Sequence, residues 1–538
     1  MKPADFAEAL RQFEAVVGKD WVFTSDEDLH LYRDAYSILW GEPEERIASA
    51  AVAPDSLEQV QQIVRIANKY KVPIYPISTG RNLGYGGAAP SYSGSVVLDL
   101  KRMNRILEVN ERHAYVLVEP GVSYFDLYRY IQERGLRLVV DVPDPGWGSL
   151  VGNSLDHGAG YLQPAFRNHF DSHCGMEVVL ADGEVLRTGM GAVPNAKTWQ
   201  QYKFGTGPWI DGIFSQSNFG VVTKMGFWLM PQPDAYFSGT VFVPRREDLS
   251  PMIDLMSYLE NVGVVNGLPD LGGPVYGGYL SPRDPRVVEF MKLPSTQTEE
   301  DIVAFTRANN IPYWSVTLKF YGAEKALREN WEYCKAKFSA EIPGSTFKDG
   351  EMIKFPLTAE QKEQVHKPEF GIPSLELFTR GLRSPVNPEP DFGHVFLSMI
   401  IPRTGEAIVE FNKVMGDLSK ELGLVDSRLI GEKFTYRMPM AYWNRSFMLG
   451  YGFSVTHDPE KNKKIRDGIL KMMEVAAQHG WAEYRTPPAF QDALMNTYSF
   501  NNHILRRFNE TLKDAVDPNG ILSAGRYGIW PKHLRKKQ

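Results

Sequence analysis

The 538-residue chain is 43% hydrophobic and 23% charged, the balance of a soluble globular protein too long for one ordinary core, so two or three domains are expected. Its net charge of −6, with no basic run before the terminal KHLRKKQ, leaves no footprint for nucleic acid. No run of about 18 apolar residues is available to span a membrane, and two distant cysteines, Cys174 and Cys334, with 11 histidines that form no H-x-x-x-H pair on a helix, point to neither a disulfide framework nor a metal centre.

The first segment, MKPADFAEALRQFEAVVG, is amphipathic and carries acids early, unlike the basic-then-apolar order of a signal peptide, so a cytoplasmic chain is expected. IASAAVA at 47–53 reads as a buried strand. Ser56 and Gln59 have the spacing of a capping box, and Val60, Ile63, Val64 and Ala67 then recur at helical spacing. VPIYPIS is the next strand and completes a β-α-β unit that ends in a glycine-rich loop, STGRNLGYGG at 78–87. Glycines let the backbone approach a ligand closely, and successive N–H groups can cradle an anion, for which a dinucleotide pyrophosphate is the natural guest. A tight surface loop is the other reading, because the spacing is not that of a P-loop and the later glycines open no helix.

SVVLDL and YVLVEPGV read as further strands, and YFDLYRYIQERG as a helix stopped by Gly135. MEVVLADGEVLRTG is a hairpin turning at Asp182-Gly183, and GVVTKMGFWLMPQP is a strand closed by prolines. Near residue 235 the texture changes to strands such as WSVTLKFYG and GHVFLSMIIP and long helices such as KNKKIRDGILKMMEVAAQHG, which predicts an inserted second domain. The end, RRFNETLKDAVDPNGILSAGRYGIW, reads as a helix broken at Asp517-Pro518-Asn519-Gly520, then an extended tail.

Six blocks carry a resemblance: PISTGRNLGYGGAAP, VEPGVSYFDLYRYI, DVPDPGWGSLVGNSLDHGAGY, GMEVVLADGEVLRTGMGAVP, DGIFSQSNFGVVTKMGFWLMPQP and AEYRTPPAF. In this order they resemble the vanillyl-alcohol oxidase / p-cresol methylhydroxylase flavoproteins, including the eugenol-oxidase-like 4-phenol oxidases. The likeness is dense over 45–235, sparse through 240–480 and strong again over 481–530. It implies an α+β fold: a PCMH-type FAD-binding domain of two subdomains (1–235), an inserted α+β cap domain over the flavin ring (236–482), and a C-terminal segment (483–538) returning to the FAD-binding domain. The cofactor implied is FAD. Ser78, Thr79, Gly80, Arg81, Asn82, Leu83, Tyr85 and Gly86, with Gly152, Asn153 and Tyr161, take the positions of flavin contacts. Ala524-Gly525-Arg526 stands where the family usually ends in proline-glycine-lysine, so Arg526 keeps the positive charge.

The activity implied is oxidation of para-substituted phenols (4-alkylphenols, 4-hydroxybenzylic alcohols, allylphenols) by hydride transfer from the benzylic carbon to flavin N5 through a p-quinone methide. Hydride loss leaves a cation unless the ring oxygen gives up its proton, and a phenol's pKa is about 10. Two tyrosine O–H donors and a guanidinium stabilise phenolate, and arginine stays charged where lysine does not. By the resemblance Tyr85, Tyr484 and Arg485 form that trio. Singly, each reads more simply as a packed ring or a surface cation. Of the acids in DVPDPGWGS, Asp141 and Asp144, the second matches the family acid near N5, which can activate the water that traps a quinone methide; alone it reads as a turn aspartate.

His394, sharing a strand face with Phe392 and Phe396, reads alone as a core histidine. By the resemblance it is the residue joined to the flavin 8α carbon, a bond that raises the flavin's potential. Asp144 and His394 favour molecular oxygen as oxidant, with a cytochrome c or azurin as the alternative acceptor. Dimers or larger homo-oligomers are the family habit. Two departures stand out. YLQPAFRNHF replaces the family's YTPYGDH, and the cap's histidine pair is missing, with YRMPMAYWNRSFMLGYGFSV in its place. No histidine lies between His30 and His113 to assist flavinylation. Two further readings remain. A 2-hydroxy-acid flavoenzyme would want cations for a carboxylate, against which Tyr85 and Tyr484 argue. A flavin carrier without catalysis would hold FAD that no phenol reduces.

Overall fold

The computed structural model describes residues 3–273, 279–280, 284–292, 299–376, 393–424, 437–456 and 458–535. The first layer is a four-stranded sheet in the order β1-β2-β4-β3, built from β1 (Val22–Phe23), β2 (Ala50–Val52), β3 (Ile74–Ile77) and β4 (Val96–Asp99), the last three parallel. Parallel neighbours need a crossover, and α2 (Leu57–Tyr70) supplies it between β2 and β3. Val60, Ile63, Val64 and Ala67 form its buried stripe, packed with Phe13 of α1 (Pro3–Val17). Complete burial of a Val or Ile side chain contributes about 1.5–3 kcal/mol. The expected capping box is absent: Ser56 makes no side-chain cap, and the Gln59 carboxamide instead accepts from the Asp55 N–H at 2.9 Å. The strand expected over 47–53 is confined to 50–52.

The second sheet is antiparallel, in the order β5-β6-β9-β7-β8, from β5 (Ile106–Asn110), β6 (Tyr115–Val118), β7 (His173–Val179), β8 (Val185–Arg187) and β9 (Val221–Trp228). Gly183 takes φ 83° at the β7–β8 turn, a conformation that glycine adopts without strain. Helix α3 (Tyr124–Glu133) starts at a true capping box, Ser123 with Asp126, and Gly135 follows its end at φ 60°. Its Tyr124, Leu127 and Ile131 close the sheet's core. The short helices α4 (Leu150–Leu155) and α5 (Pro164–Arg167) follow.

Two more sheets belong to the middle of the chain. One has the order β11-β12-β10-β13, from β10 (Ala235–Val243), β11 (Asp270–Gly272), β12 (Trp314–Gly322) and β13 (Thr346–Asp349). The other is β15-β14-β16, from β14 (Gly393–Pro402), β15 (Ser446–Val455) and β16 (Ala482–Glu483). Both share one large core with α6 (Leu249–Asn261), α7 (Glu324–Glu341), α8 (Gly405–Glu421) and α9 (Pro459–Gln478). After α10 (Gln491–Thr497) and α11 (Phe500–Val516) the chain returns to the first sheet. There Ile74 N–H donates to Ile521 O and Ser523 N–H to Ile74 O. The tail is therefore extended only briefly, and residues 526–528 make a 3₁₀ turn.

Candidate active site

The glycine loop has two working sides. Gly80, Gly84, Gly86 and Gly87 all take positive φ, from 53° to 112°, so the loop's path depends on the absent Cβ atoms. One side, Ser78 to Asn82 with Gly87, lines a cleft together with Gly152, Asn153 and Arg526. At Gly152 a Cβ would collide with Ser78 Oγ, so the bare backbone is what lets α4 sit against the loop. Asp156 ties the cleft together: Asn82 Nδ2 donates to its Oδ2 at 2.8 Å, and Arg526 Nη2 and the Tyr527 O–H donate to its Oδ1 at 3.0 and 2.8 Å. Arg526 Nη1 also donates to the Tyr75 hydroxyl at 2.7 Å, which fixes the guanidinium at the cleft wall. Exposed loop backbone and a held arginine on one cleft suit the diphosphate of a dinucleotide. Leu83 and Gly86 lie off the cleft's lining, and Gly86 backs onto Pro488.

The other side of the loop runs along β14. A strand turns alternate residues to one face, and here Val395, Leu397, Met399 and Ile401 are core while His394, Phe396 and Ser398 face the loop. Gly84 passes His394 so closely that a Cβ would sit 3.2 Å from its Cδ2. The Tyr85 ring lies 5.8 Å from Phe396, and its hydroxyl 3.5 Å from Ser398 Oγ. Phe392, expected on the same face, falls outside the described residues. His394 also contacts the rings of Tyr36 and Phe396, at 5.0 and 4.4 Å.

Strand β16 pairs Glu483 with Met399 and so delivers Tyr484 and Arg485 to the same place. The Arg485 guanidinium lies 3.9 Å from the Tyr85 ring centroid and 5.4 Å from that of Tyr484, and its Nε is buried without a hydrogen-bond partner among the described residues. Burial opposes its charge, but Tyr484, Tyr85 and Asp156 outweigh that and raise its hold on the proton. Burial likewise raises Tyr484, against the pull of Arg485, and keeps its hydroxyl a donor. Gln216 Nε2 holds the Tyr484 carbonyl at 2.9 Å. The three residues expected to act together are thus brought together.

Asp144 forms a second pole, within electrostatic reach of Arg485. Its Oδ1 accepts the Tyr161 O–H at 2.6 Å. Burial raises its pKa, while the Tyr161 hydrogen bond, His366 and Arg485 pull it back. Tyr161, expected to touch flavin, makes its hydroxyl bond here, and its backbone N–H donates to Asp141 at 2.8 Å, so Asp141 is a local brace. Tyr442 stands edge-on to Tyr161 at 6.2 Å, and Trp443 edge-on to Tyr484 at 5.3 Å. Asp156, Ser398, Glu483, Tyr442 and Trp443 were missed from the sequence. Ser398 could have been reached by counting in twos from His394, and Asp156 lies within the quoted block GNSLDHGAGY. Tyr442 and Trp443 lie in the block YRMPMAYWNRSFMLGYGFSV that replaces the cap's histidine pair, but nothing within the block singles them out. Among the described residues no group of three His, Cys, Asp or Glu side chains is arranged to hold a metal ion, and no helix is long and apolar enough to cross a membrane.

Residues 48–189 match the FAD binding domain family. The chain is 31% identical over 536 residues to the flavoprotein subunit of 4-cresol dehydrogenase [hydroxylating] from Pseudomonas putida, covering 98% of this chain and 96% of that protein. It superposes on p-cresol methylhydroxylase with substrate bound at a TM-score of 0.82, 29% identity and 98% coverage of both chains. With the isoeugenol complex of 4-ethylphenol oxidase from Gulosibacter chungangensis the TM-score is 0.81, the identity 33% and the coverage 99% of both.

Proposed function

The chain belongs to the vanillyl-alcohol oxidase / p-cresol methylhydroxylase family of FAD-binding oxidoreductases, and from that premise we propose that it oxidises para-substituted phenols at the benzylic carbon. The observation that carries the reading is Arg485, a half-buried cation against Tyr85 and Tyr484 whose buried Nε has no hydrogen-bond partner among the described residues. A phenolate oxygen placed there gains charge-assisted hydrogen bonds that a neutral phenol does not. Tyr85 and Tyr484 donate to that oxygen, Arg485 neutralises it, and the ring's electrons then push hydride off the benzylic carbon. FAD supplies the two-electron acceptor for that hydride. Asp144, braced by Tyr161, takes the proton from water adding to the quinone methide.

FAD occupies the cleft between the glycine loop, α4 and Arg526, with residues 1–235 and 483–538 as its domain and 236–482 as the cap. His394, beside Gly84, is the residue we assign to a covalent flavin bond. Molecular oxygen is the oxidant in this reading, and a homo-oligomer its assembly. The test is the visible spectrum of the holoenzyme. A 4-alkylphenol should bleach the flavin without air, and air alone should restore it. Acid-precipitated protein should stay yellow, whereas precipitated His394→Ala should release its colour. A flavin that no phenol bleaches contradicts the proposal. Recovery only with an added cytochrome or azurin would reassign the oxidant.

A further inference from the structure

Behind the wall formed by Tyr442 and Trp443 lies a buried charge cluster that the phenol chemistry does not use. Glu260 of α6 pairs with Arg167 of α5 (2.6 Å between Oε1 and Nη2) and, through Oε2, with Arg403, which follows β14. All three are 7% exposed or less. Compared with apolar packing, a buried ion cluster is a poor source of stability. This one makes contacts that apolar side chains cannot. Arg167 Nε donates to the Tyr442 carbonyl at 2.9 Å, Arg403 Nη1 to the Trp443 carbonyl at 2.6 Å, and Arg167 Nη2 to Asn444 Oδ1 at 2.9 Å. Three consecutive residues are therefore held at three points by two rigid guanidinium forks.

The residues so held stand between the poles of the site. Trp443 meets Tyr484 at the phenolate end, and Tyr442 meets Tyr161, the partner of Asp144, at the other. In the phenol reading a para substituent would leave the ring away from Arg485, and Tyr442, which meets Tyr161 and adjoins the Trp443 that meets Tyr484, would flank it. We propose that Tyr442 sets the length of para-substituent the site accepts, and that Arg167, Glu260 and Arg403 are positioning residues that fix this wall. The inference rests on the phenol-oxidation reading. It adds a specificity determinant and its support.

The experiment compares kcat/KM for p-cresol and 4-propylphenol in the parent, Tyr442→Ala and Arg403→Lys holoenzymes, with melting temperatures alongside. Arg403→Lys keeps a cation for Glu260 but loses the fork on Trp443 O; Asn444→Ala, which leaves the ion cluster whole, takes its place if lysine is not accommodated. One or two methylenes in a pocket change selectivity by about tenfold or more. The ratio of 4-propylphenol to p-cresol should rise by about that factor in Tyr442→Ala, and in the same direction, by a smaller factor, in the anchor variant. An unchanged ratio in Tyr442→Ala overturns the specificity role. A lowered melting temperature with an unchanged ratio in the anchor variant overturns the positioning role. If neither phenol bleaches the parent's flavin, the phenol reading itself fails, and the inference with it.

Discussion

Arg485 faces two tyrosine rings, and its buried Nε has no partner among the described residues, so its value depends on an anion arriving. Tyr85→Phe removes one neutral donor, a loss of about 10²–10³ in rate for a preorganised anion hole. Arg485→Ala leaves a charged oxygen buried without a counter-charge and should be slower still. Stopped-flow flavin reduction by one phenol reads both variants, and an arginine variant faster than Tyr85→Phe removes the trio from the mechanism. Asp144 should govern products as well as rate. Asp144→Ala should slow reduction and shift a 4-alkylphenol's products from hydrated alcohol towards alkene, with Asp144→Glu intermediate, because one methylene exceeds the ~0.5 Å tolerance of a preorganised site. If rate and product ratio stay at parent values in Asp144→Ala, the carboxylate is a turn residue. That Tyr85, Tyr484 and Arg485 would stand together was legible because each sits in a short motif of the resemblance; their roles, and that of Asp144, are what these variants test. Ser398, Tyr442 and the Arg167–Glu260–Arg403 cluster were not legible, because they act through contacts between positions up to several hundred residues apart.

At the scale of elements, the register between β14 and the glycine loop places the candidate chemistry. His394, Phe396 and Ser398 meet Gly84, the Tyr85 ring and the Tyr85 hydroxyl in turn. A second joint lies beneath the Asp144 pole. Glu369 accepts from Tyr236 of β10 at 2.6 Å and from Lys319 of β12 at 2.8 Å, and contacts His366 Nδ1 at 2.9 Å. Burial alone would raise this carboxyl, but Lys319 and His366 override it and hold it down to about 2. A depressed carboxylate contributes stability that is present above its ordinary value of 4.5 and is lost as pH falls towards 2. The melting temperature of the parent should therefore fall from pH 6 to pH 3 more steeply than that of Glu369→Gln, although the variant starts lower. Parallel slopes would mean that this joint does not carry the acid sensitivity. The helices and strands here were legible from periodicity, as with Val60, Ile63, Val64 and Ala67 on α2. The capping box was not, because Gln59 turns to the Asp55 N–H, and spacing alone does not say which N–H a side chain will choose.

At the scale of the molecule, the candidate site is assembled from four distant parts of the chain: the loop after β3, the stretch around α4 that carries Asp144 and Tyr161, the face of β14, and the segment after β16. The return of the C-terminal segment is fixed by pairing of residues 521–523 with Ile74, next to the loop that Arg526 and Asp156 brace. The change of texture near 235 falls where β10 begins. The meeting of these parts was not legible, because it depends on contacts such as that of Tyr85 with Phe396 and Ser398, far apart in the chain. The central claim is that hydride leaves only when the ring oxygen can become phenolate against Arg485. The most direct measurement is anaerobic flavin reduction by a 4-alkylphenol compared with its methyl ether, which keeps the ring and the benzylic carbon but has no proton to lose. The phenol should bleach the flavin rapidly and the ether little or not at all; equal rates for the two would show that hydride transfer needs no phenolate.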